Sequence, residues 1–209
     1  MRIPIILFTG FFFLREIASL VTFLEHPSLF LDAQFVSALA ARISLIAFLG
    51  LLVFFHFTRS QPINQAAGWQ PKISALLGLT LGNLLLLLNR ASLPPMMDLM
   101  SALFLIVGNY LCIVTLFHLG RSISIMAEAR QLVTSGPYRF VRHPLYLAEE
   151  IATIGIFMQF MSWQAAVVLG VHFIFQIVRM RNEERVLSAT FPEYHDYAQR
   201  TARLIPGVW

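Results

Sequence analysis

Five long apolar stretches dominate this sequence and limit what it can fold into. They are, in chain order, Ile3 to Leu24, Gln34 to Phe57, Ile73 to Leu88, Leu99 to Leu119, and Leu145 to Val178. A helix needs roughly 20 apolar residues to cross a bilayer. Because only 12% of the residues are charged, against about 25% in soluble domains, these stretches must be the fold itself. We therefore predict an all-α polytopic membrane bundle that forms one domain over residues 1–209.

The fifth stretch is too long for one straight span and too short for two full ones. Polar residues interrupt it near residues 161–164, where a turn can satisfy its backbone at an interface or inside protein. We expect a helical hairpin there, so that the bundle has four spans plus a C-terminal hairpin. In the third stretch, Gly78 and Gly82 are four residues apart, which permits close packing against another helix.

The basic residues predict which side of the membrane each loop faces. If the N-terminus is cytoplasmic, twelve of the fifteen basic residues lie on that side, whereas the opposite connections hold Glu25, Asp32 and Asp98. The positive-inside rule then places the N-terminus, segment 119–144 and the C-terminus in the cytoplasm. This asymmetry explains the net charge of +4 without a nucleic-acid partner. The twelve are Arg2, Arg59, Lys72, Arg121, Arg130, Arg139, Arg142, Arg179, Arg181, Arg185, Arg200 and Arg203.

The first stretch has the position of a cleavable signal peptide, but its composition argues against one. Arg15 and Glu16 interrupt its middle and no small-residue cleavage site follows, so we predict a retained helix whose charged pair faces protein. The single cysteine, Cys112, excludes an internal disulfide and a cysteine-based zinc cluster.

The chemically suggestive residues lie in two polar segments that flank the fifth stretch. In the first, Gly136-Pro137 is typical of a turn, and Pro144 suits the first position of a helix. His143 then stands at a helix N-terminus, where backbone N–H groups favour a carboxylate. Antiparallel hairpin arms would bring this segment to the second one, which holds Arg179, Glu183 and Glu184.

The two clusters together predict a cytoplasmic cavity with charged walls under an apolar roof, suited to an amphiphilic molecule. The alternative is that both clusters only contact lipid headgroups. Glu149 and Glu150 enter the apolar hairpin, and intramembrane carboxylates are costly enough to indicate function. Their alternative is pairing with Arg139 or Arg142 at the interface.

Two common kinds of site are absent from the sequence patterns. The remaining histidines show no spacing typical of metal ligands, so we predict no metal site. No two glycines are two residues apart, which excludes the G-x-G-x-x-G pattern of a Rossmann-type nucleotide site.

Several motifs resemble the isoprenylcysteine carboxyl methyltransferase family of integral-membrane enzymes. Arg142-His143-Pro144-Leu145-Tyr146 is followed about forty residues later by the pair Glu183-Glu184, and together they are fairly specific. Segments 119–122, 132–138, 191–197 and 204–206 add to a resemblance that covers roughly residues 75–206. The resemblance implies an S-adenosylmethionine-dependent methyltransferase that uses no Rossmann fold.

The resemblance also implies the roles of individual residues. Arg179 would bind the substrate, and Glu183 would hold a polar part of the cofactor. From the residues themselves, we expect Arg179, Glu183 and Glu184 to act in catalysis and Glu149 and Glu150 to contact the substrate. Ala148 departs from the glycine of many relatives, which would narrow the hairpin entrance. The cofactor pocket would comprise Arg130, Gln131, Leu132, Val133, Tyr138, His143, Pro144, Leu145, Tyr146 and Glu183.

The acceptor is expected to be a lipophilic or lipidated molecule that arrives through the membrane lipid, with no obligate protein partner. Carboxyl O-methylation of an isoprenylcysteine-like substrate is the first choice, because a carboxylate needs no base and suits the planar fork of Arg179. A phospholipid amine or a small thiol is the alternative, and Glu149, Glu150 or Glu184 would then take its proton. A further alternative is an NADPH-dependent reductase of the sterol type, because residues 203–209 resemble the C-terminal ending of that group. The last alternative is a non-catalytic lipid-binding protein.

Overall fold

The structure is a computed structural model that describes residues 2–25, 33–85, 88–89 and 91–207. About three quarters of the described residues are helical. The helices are α1 (Arg2–Leu24), α2 (Ala33–Thr58), α3 (Gln70–Leu84), α4 (Pro95–Leu119), α5 (Pro144–Gln159), α6 (Trp163–Thr190) and α7 (Tyr194–Arg200). Short 3-10 helices occupy Gly120–Ser122 and Gly136–Arg139.

Four of the described helices are long and apolar enough to cross a membrane. They cover Ile3–Leu24, Gln34–Thr58, Pro95–Ser122 and Trp163–Thr190. This confirms the predicted spans in the first, second and fourth stretches, and it supports an integral membrane protein. The third stretch differs, because α3 has only 15 residues. At 1.5 Å per residue such a helix is about 22 Å long, shorter than a bilayer core of about 30 Å.

The fifth stretch breaks into two helices at residues 160–162, close to the predicted turn. Ser162 caps α6 by accepting a hydrogen bond from the Ala165 amide at 3.2 Å. The predicted C-terminal hairpin is not confirmed, because each of its two helices packs mainly against another helix. α5 packs mainly against α4, and α6 packs mainly against α3.

Small residues explain these two helix pairs. A Cβ atom added at Gly108 of α4 would lie 2.5 Å from the backbone nitrogen of Ala152, so only glycine permits that approach to α5. Gly78 and Gly82 both face α6, where added Cβ atoms would meet Arg179 and His172 respectively. The predicted close packing is therefore confirmed at Gly78, whereas the added Cβ atom at Gly82 would lie an ordinary 3.9 Å from His172.

Two local features of the bundle correct the sequence analysis. A two-residue antiparallel ladder pairs β1 (Asn64–Gln65) with β2 (Glu128–Ala129), so the fold is not strictly all-α. The ladder ties the loop before α3 to the segment after α4. In α1, Arg15 and Glu16 pair with each other at 3.7 Å, but the Arg15 side chain is 47% exposed. The prediction that both charges face protein was wrong for Arg15.

Candidate functional site

A cavity opens at the end of the bundle where segment 119–146 meets α6 and α7. Its lining includes most of the residues that the sequence analysis assigned to the site. They are Arg130, Gln131, Leu132, Val133, Tyr138, His143, Leu145, Tyr146, Glu149, Arg179 and Glu183. Pro144, Glu150 and Glu184 do not line it.

The turn before α5 folds as its residues predicted. Gly136 has a φ of +60°, and a Cβ atom there would lie 2.0 Å from the His118 ring. The following 3-10 helix buries Tyr138, whose carbonyl accepts a hydrogen bond from the Tyr197 hydroxyl at 2.7 Å. This contact fixes one wall of the cavity against α7.

His143 occupies the position that Pro144 predicted for it. It is the N-cap of α5, and Pro144 is the first helical residue, where its missing N–H costs nothing. The His143 side chain is only 4% exposed. Its Nδ1 atom lies 3.9 Å from Glu183 Oε2, so segments forty residues apart meet at the cavity.

Tyr146 joins His143 to the middle of α6. Its hydroxyl donates a hydrogen bond to Glu183 Oε1, and its ring makes an edge contact with the His143 ring. The Arg179 guanidinium lies over the same ring, with 4.9 Å from Cζ to the ring centre. Arg179 lies within α6 and its side chain is buried.

Gln176 links the two charged residues at the side of the cavity, and the sequence analysis missed it. The residue is 1% exposed, and its Nε2 atom donates to Glu149 Oε2 at 3.2 Å. Its Oε1 atom accepts from Arg179 Nη1 at 2.6 Å. The spacing of Gln176 and Arg179, one turn apart on a helix, was the available signal.

Glu150 lies elsewhere, against His172 of α6. Its Oε1 atom is 3.1 Å from His172 Nε2, and both side chains are buried. Neither Glu149 nor Glu150 pairs with Arg139 or Arg142, the alternative that the sequence left open. Arg139 instead lies over the Phe140 ring, with 5.1 Å between its Cζ atom and the ring centre.

Glu184 faces the outer side of His143. Its Oε1 atom is 3.2 Å from His143 Nε2, and Arg203 donates hydrogen bonds to both of its oxygens. Arg142 adds a second cationic side chain at 3.5 Å. Glu184 thus contacts a residue of the cavity wall, while Glu183 belongs to the wall itself.

A second charge cluster closes the cavity at β2. Glu128 Oε2 accepts hydrogen bonds from Ser124 at 2.7 Å and from Arg130 Nη2 at 2.6 Å, and Arg59 lies 3.8 Å away. Burial alone raises the pKa of the Glu128 carboxyl. The hydrogen bonds from Ser124 and Arg130, with the nearby positive charges, outweigh burial and hold the pKa below the ordinary value of 4.5.

Three tyrosines of the lining keep neutral hydroxyl groups. Burial, reinforced by the charge of Glu183, raises the pKa of Tyr138, and burial raises the pKa of Tyr197 to about 12. Burial and the charge of Glu184 likewise raise the pKa of Tyr194. These residues therefore remain hydrogen-bond donors at neutral pH. Tyr194 and Tyr197 belong to segment 191–197, which contributed to the resemblance, but neither was assigned to the pocket.

The rest of the lining is largely apolar, and these residues were also missed. They come from α2, α3 and the chain around the end of α4, and they are Leu52, Leu79, Leu119, Ile123, Ile125 and Met126. No local pattern in an apolar helix indicates which of its faces will line a cavity. The combination gives one space with both charged and apolar walls.

Some buried donors in the lining have no hydrogen-bond partner among the residues that the structure describes. They are Nη1 of Arg130, Nε of Arg179 and the hydroxyl of Tyr194. Buried polar groups in native proteins normally find partners, so these atoms can serve a bound molecule. In the part of the chain that the structure describes, no three side chains of the His, Cys, Asp or Glu type group as metal ligands.

The fold and the cavity define an integral-membrane helical protein with an amphiphilic cavity at one end of its bundle. Residues 99–189 match the model of the isoprenylcysteine carboxyl methyltransferase (ICMT) family. The match confirms the resemblance found in the sequence and supports assignment of the chain to an ICMT-like family. The matched segment includes His143, all of α5, and α6 except its last residue, so it contains both His143 and Glu183. A family domain of this kind supports a membrane methyltransferase.

Two curated proteins are similar to part of the chain. The nickel-cobalt-cadmium resistance protein NccN of Alcaligenes xylosoxydans xylosoxydans is 35% identical over 82 residues, which cover 39% of this chain and 38% of that protein. The cobalt-zinc-cadmium resistance protein CzcN of Cupriavidus metallidurans is 38% identical over 78 residues, which cover 37% and 36% respectively. The aligned segments therefore span little more than a third of either relative.

Proposed function

We propose that the protein is an S-adenosylmethionine-dependent methyltransferase that acts on a lipophilic or amphiphilic acceptor at the membrane. One observation carries the proposal. The cavity joins His143 and Tyr146 from one segment with Glu183 and Arg179 from another, and the family match covers all four. In this proposal the N-terminus, the cavity and the C-terminus face the cytoplasm.

The residues of the cavity fit this cofactor by their chemistry. S-adenosylmethionine carries a carboxylate, an ammonium group, ribose hydroxyls, a sulfonium and an adenine ring. The unpartnered donors of Arg130 and Tyr194 suit an anionic or carbonyl-like acceptor, and the Glu183 carboxylate suits an ammonium or hydroxyl group. The apolar and aromatic walls suit the adenine ring.

Binding and alignment are the main tasks of these residues. The bound cofactor would supply an electrophilic methyl group. Tyr146 holds Glu183 in place through its hydrogen bond, His143 lies beside Glu183, and the apolar walls exclude water from the cavity. Arg179 and Glu149 lie at the side of the cavity, where they can orient an acceptor for in-line attack.

For the acceptor, we propose the carboxylate of an isoprenylcysteine-like molecule. The unpartnered Nε atom of Arg179 supports this choice. Its Nη1 atom donates to Gln176, so Nε remains available as a donor for an anion. An amine or thiol acceptor is the second choice. Glu149 would then receive the proton that the acceptor loses, because Gln176 links its carboxylate to Arg179 at the side of the cavity.

The test is methyl transfer by the purified protein in lipid nanodiscs. Labelled S-adenosylmethionine is incubated with prenylcysteine analogues, lipid extract and small thiols, and the label in each fraction is counted. We expect transfer to one class only, and loss of transfer in Glu183→Gln. Glu193→Gln is the matched control, because Glu193 is exposed. Binding of NADPH in place of S-adenosylmethionine would instead favour a reductase.

A role in metal tolerance is a second proposal, carried by the names of the two similar proteins. We propose that methyl transfer by this protein contributes to resistance to divalent transition metals. Growth of a deletion strain on graded cobalt, nickel and cadmium tests it. Rescue by the wild type but not by Glu183→Gln would tie tolerance to methyl transfer, and equal growth of all strains would contradict it.

A further inference from the structure

The chain after α7 runs back across the start of α5. The Arg142 amide donates a hydrogen bond to the carbonyl of Ala202 at 2.8 Å, and the His143 amide donates to the carbonyl of Arg203 at 3.1 Å. Val141 and Ala202 form an isolated parallel bridge beside them. The backbone of His143 is therefore held by residues sixty positions later in the chain.

The side chain of Arg203 continues this contact to α6. Its Nε atom donates to Oε1 and Oε2 of Glu184 at 3.0 and 3.1 Å, and its Nη2 atom donates to Oε2 at 2.7 Å. Such a guanidinium fork fixes a carboxylate in both position and orientation. It also favours the ionised form of Glu184, which can only accept hydrogen bonds.

Glu184 in turn determines where His143 carries its hydrogen. The Nε2 atom of His143 lies 3.2 Å from Glu184 Oε1, and an acceptor there requires a hydrogen on Nε2. In neutral His143 the other nitrogen, Nδ1, then keeps its lone pair. Nδ1 is the atom near Glu183 Oε2, and both residues line the cavity.

We propose that Arg203 and Glu184 are positioning residues that hold His143 as the Nε2–H tautomer and present Nδ1 to the cavity as an acceptor. Glu184 is thus not a catalytic residue, in contrast to the sequence-based assignment. Nδ1 and Glu183 Oε2, 3.9 Å apart, form a pair of acceptors for a hydrogen-bond donor of the ligand. The inference rests on the proposed cofactor site, whereas the tautomer can be measured without any ligand.

Nitrogen NMR of protein labelled in its histidines tests the tautomer directly. Wild-type His143, identified by its loss in His143→Asn, should show a protonated Nε2 and an unprotonated Nδ1 at high pH. In Glu184→Gln the amide can donate as well as accept, so the two tautomers should mix. Arg203→Lys keeps the charge but loses the fork, and it should shift the signal in the same direction. Unchanged His143 signals in both variants would overturn the proposal.

Binding of S-adenosylhomocysteine by calorimetry gives the second readout. Glu184→Gln and Arg203→Lys should each weaken it by roughly tenfold, as loss of one charge-assisted hydrogen bond predicts. Arg200→Ala is the control, because Arg200 is exposed and precedes Arg203 by three residues. Altered tautomers with unchanged affinity would overturn the role in binding. Failure of the wild type to bind would contradict the proposed cofactor, while the NMR result would still decide the tautomer.

Discussion

The guanidinium of Arg179 lies over the ring of Tyr146, with 4.9 Å between Cζ and the ring centre. Tyr146 also donates its hydroxyl to Glu183. The residue proposed for the acceptor and the residue proposed for the cofactor are therefore held by the same tyrosine. This contact makes the two halves of the cavity separable by substitution, since each half uses a different part of the Tyr146 side chain.

Replacing Arg179 by lysine tests the acceptor half. Arg179→Lys keeps a positive charge but loses the planar fork that contacts Gln176 and stacks on Tyr146. For a carboxylate acceptor, kcat/KM should fall by about an order of magnitude while affinity for S-adenosylmethionine changes little. The control is Arg181→Lys, at an exposed position two residues away. A loss of cofactor affinity as large as the loss of turnover would return Arg179 to the cofactor pocket.

Gly78 in α3 offers a test in which no polar residue is substituted. A Cβ atom at Gly78 would lie 2.4 Å from Cδ of Arg179 and 3.1 Å from Oε1 of Gln176, so Gly78→Ala must displace Arg179. We expect lower turnover and a cost in stability of about 1–3 kcal/mol. Gly82→Ala is the matched control, because its Cβ would be an ordinary 3.9 Å from His172. Equal turnover in both variants would show that the position of Arg179 is not critical.

Much of this arrangement follows from local sequence signals. The helix start at Pro144, the turn at Gly136 and three of the spans depend on residues close together in the chain, so their patterns predicted them. The partner of each helix does not follow in this way, because apolar helices in a membrane choose neighbours by shape rather than by hydropathy. That is why the sequence indicated a hairpin of the last two long helices and did not indicate the pairing of α3 with α6.

The same limit applies inside the site. His143 and Glu183 belong to motifs and were found, whereas Gln176 carries no charge and sits in an apolar helix. Its role appears only when Arg179 and Glu149 are seen on either side of it. Glu150 shows the converse, since its charge drew attention but its partner is His172, away from the cavity.

The charge cluster around Glu128 at β2 predicts a pH dependence of stability. The pKa of Glu128 is lower in the folded protein than its ordinary value of 4.5, so the folded state gains stability above that pH and loses it as the pH falls through the folded pKa. Glu128→Gln should therefore destabilise the protein at pH 7, by about 1.5–3 kcal/mol for a charged hydrogen bond.

Thermal unfolding of the two proteins at several pH values measures this effect. The difference between wild type and Glu128→Gln should be largest near neutral pH, shrink as the pH falls below about 4.5, and vanish below the lowered pKa of folded Glu128, where the carboxyl is neutral. Glu193→Gln, at an exposed site, should show no such trend. A difference that stays constant with pH would mean that the charge of Glu128 does not stabilise the fold.

Cysteine labelling tests the proposed cytoplasmic side of the cavity. Single cysteines at Ser135 and Gln199, both exposed, should react with an impermeant reagent only after the membrane is opened. A cysteine at Ser92, exposed in the connection before α4, should react in intact cells. The buried Cys112 is first replaced by serine. Labelling of Ser135 or Gln199 positions in intact cells would reverse the orientation.

The most direct test of the central claim is the affinity of the purified protein for S-adenosylmethionine. His143→Ala and Glu183→Gln each remove one side of the contact that joins α5 to α6 at the cavity. With the fold retained, affinity should fall by roughly 10-fold to 150-fold in each variant, as expected for one hydrogen bond to a charged group of about 1.5 to 3 kcal/mol. Affinity equal to the wild type in both variants would contradict the claim that this cavity holds the cofactor.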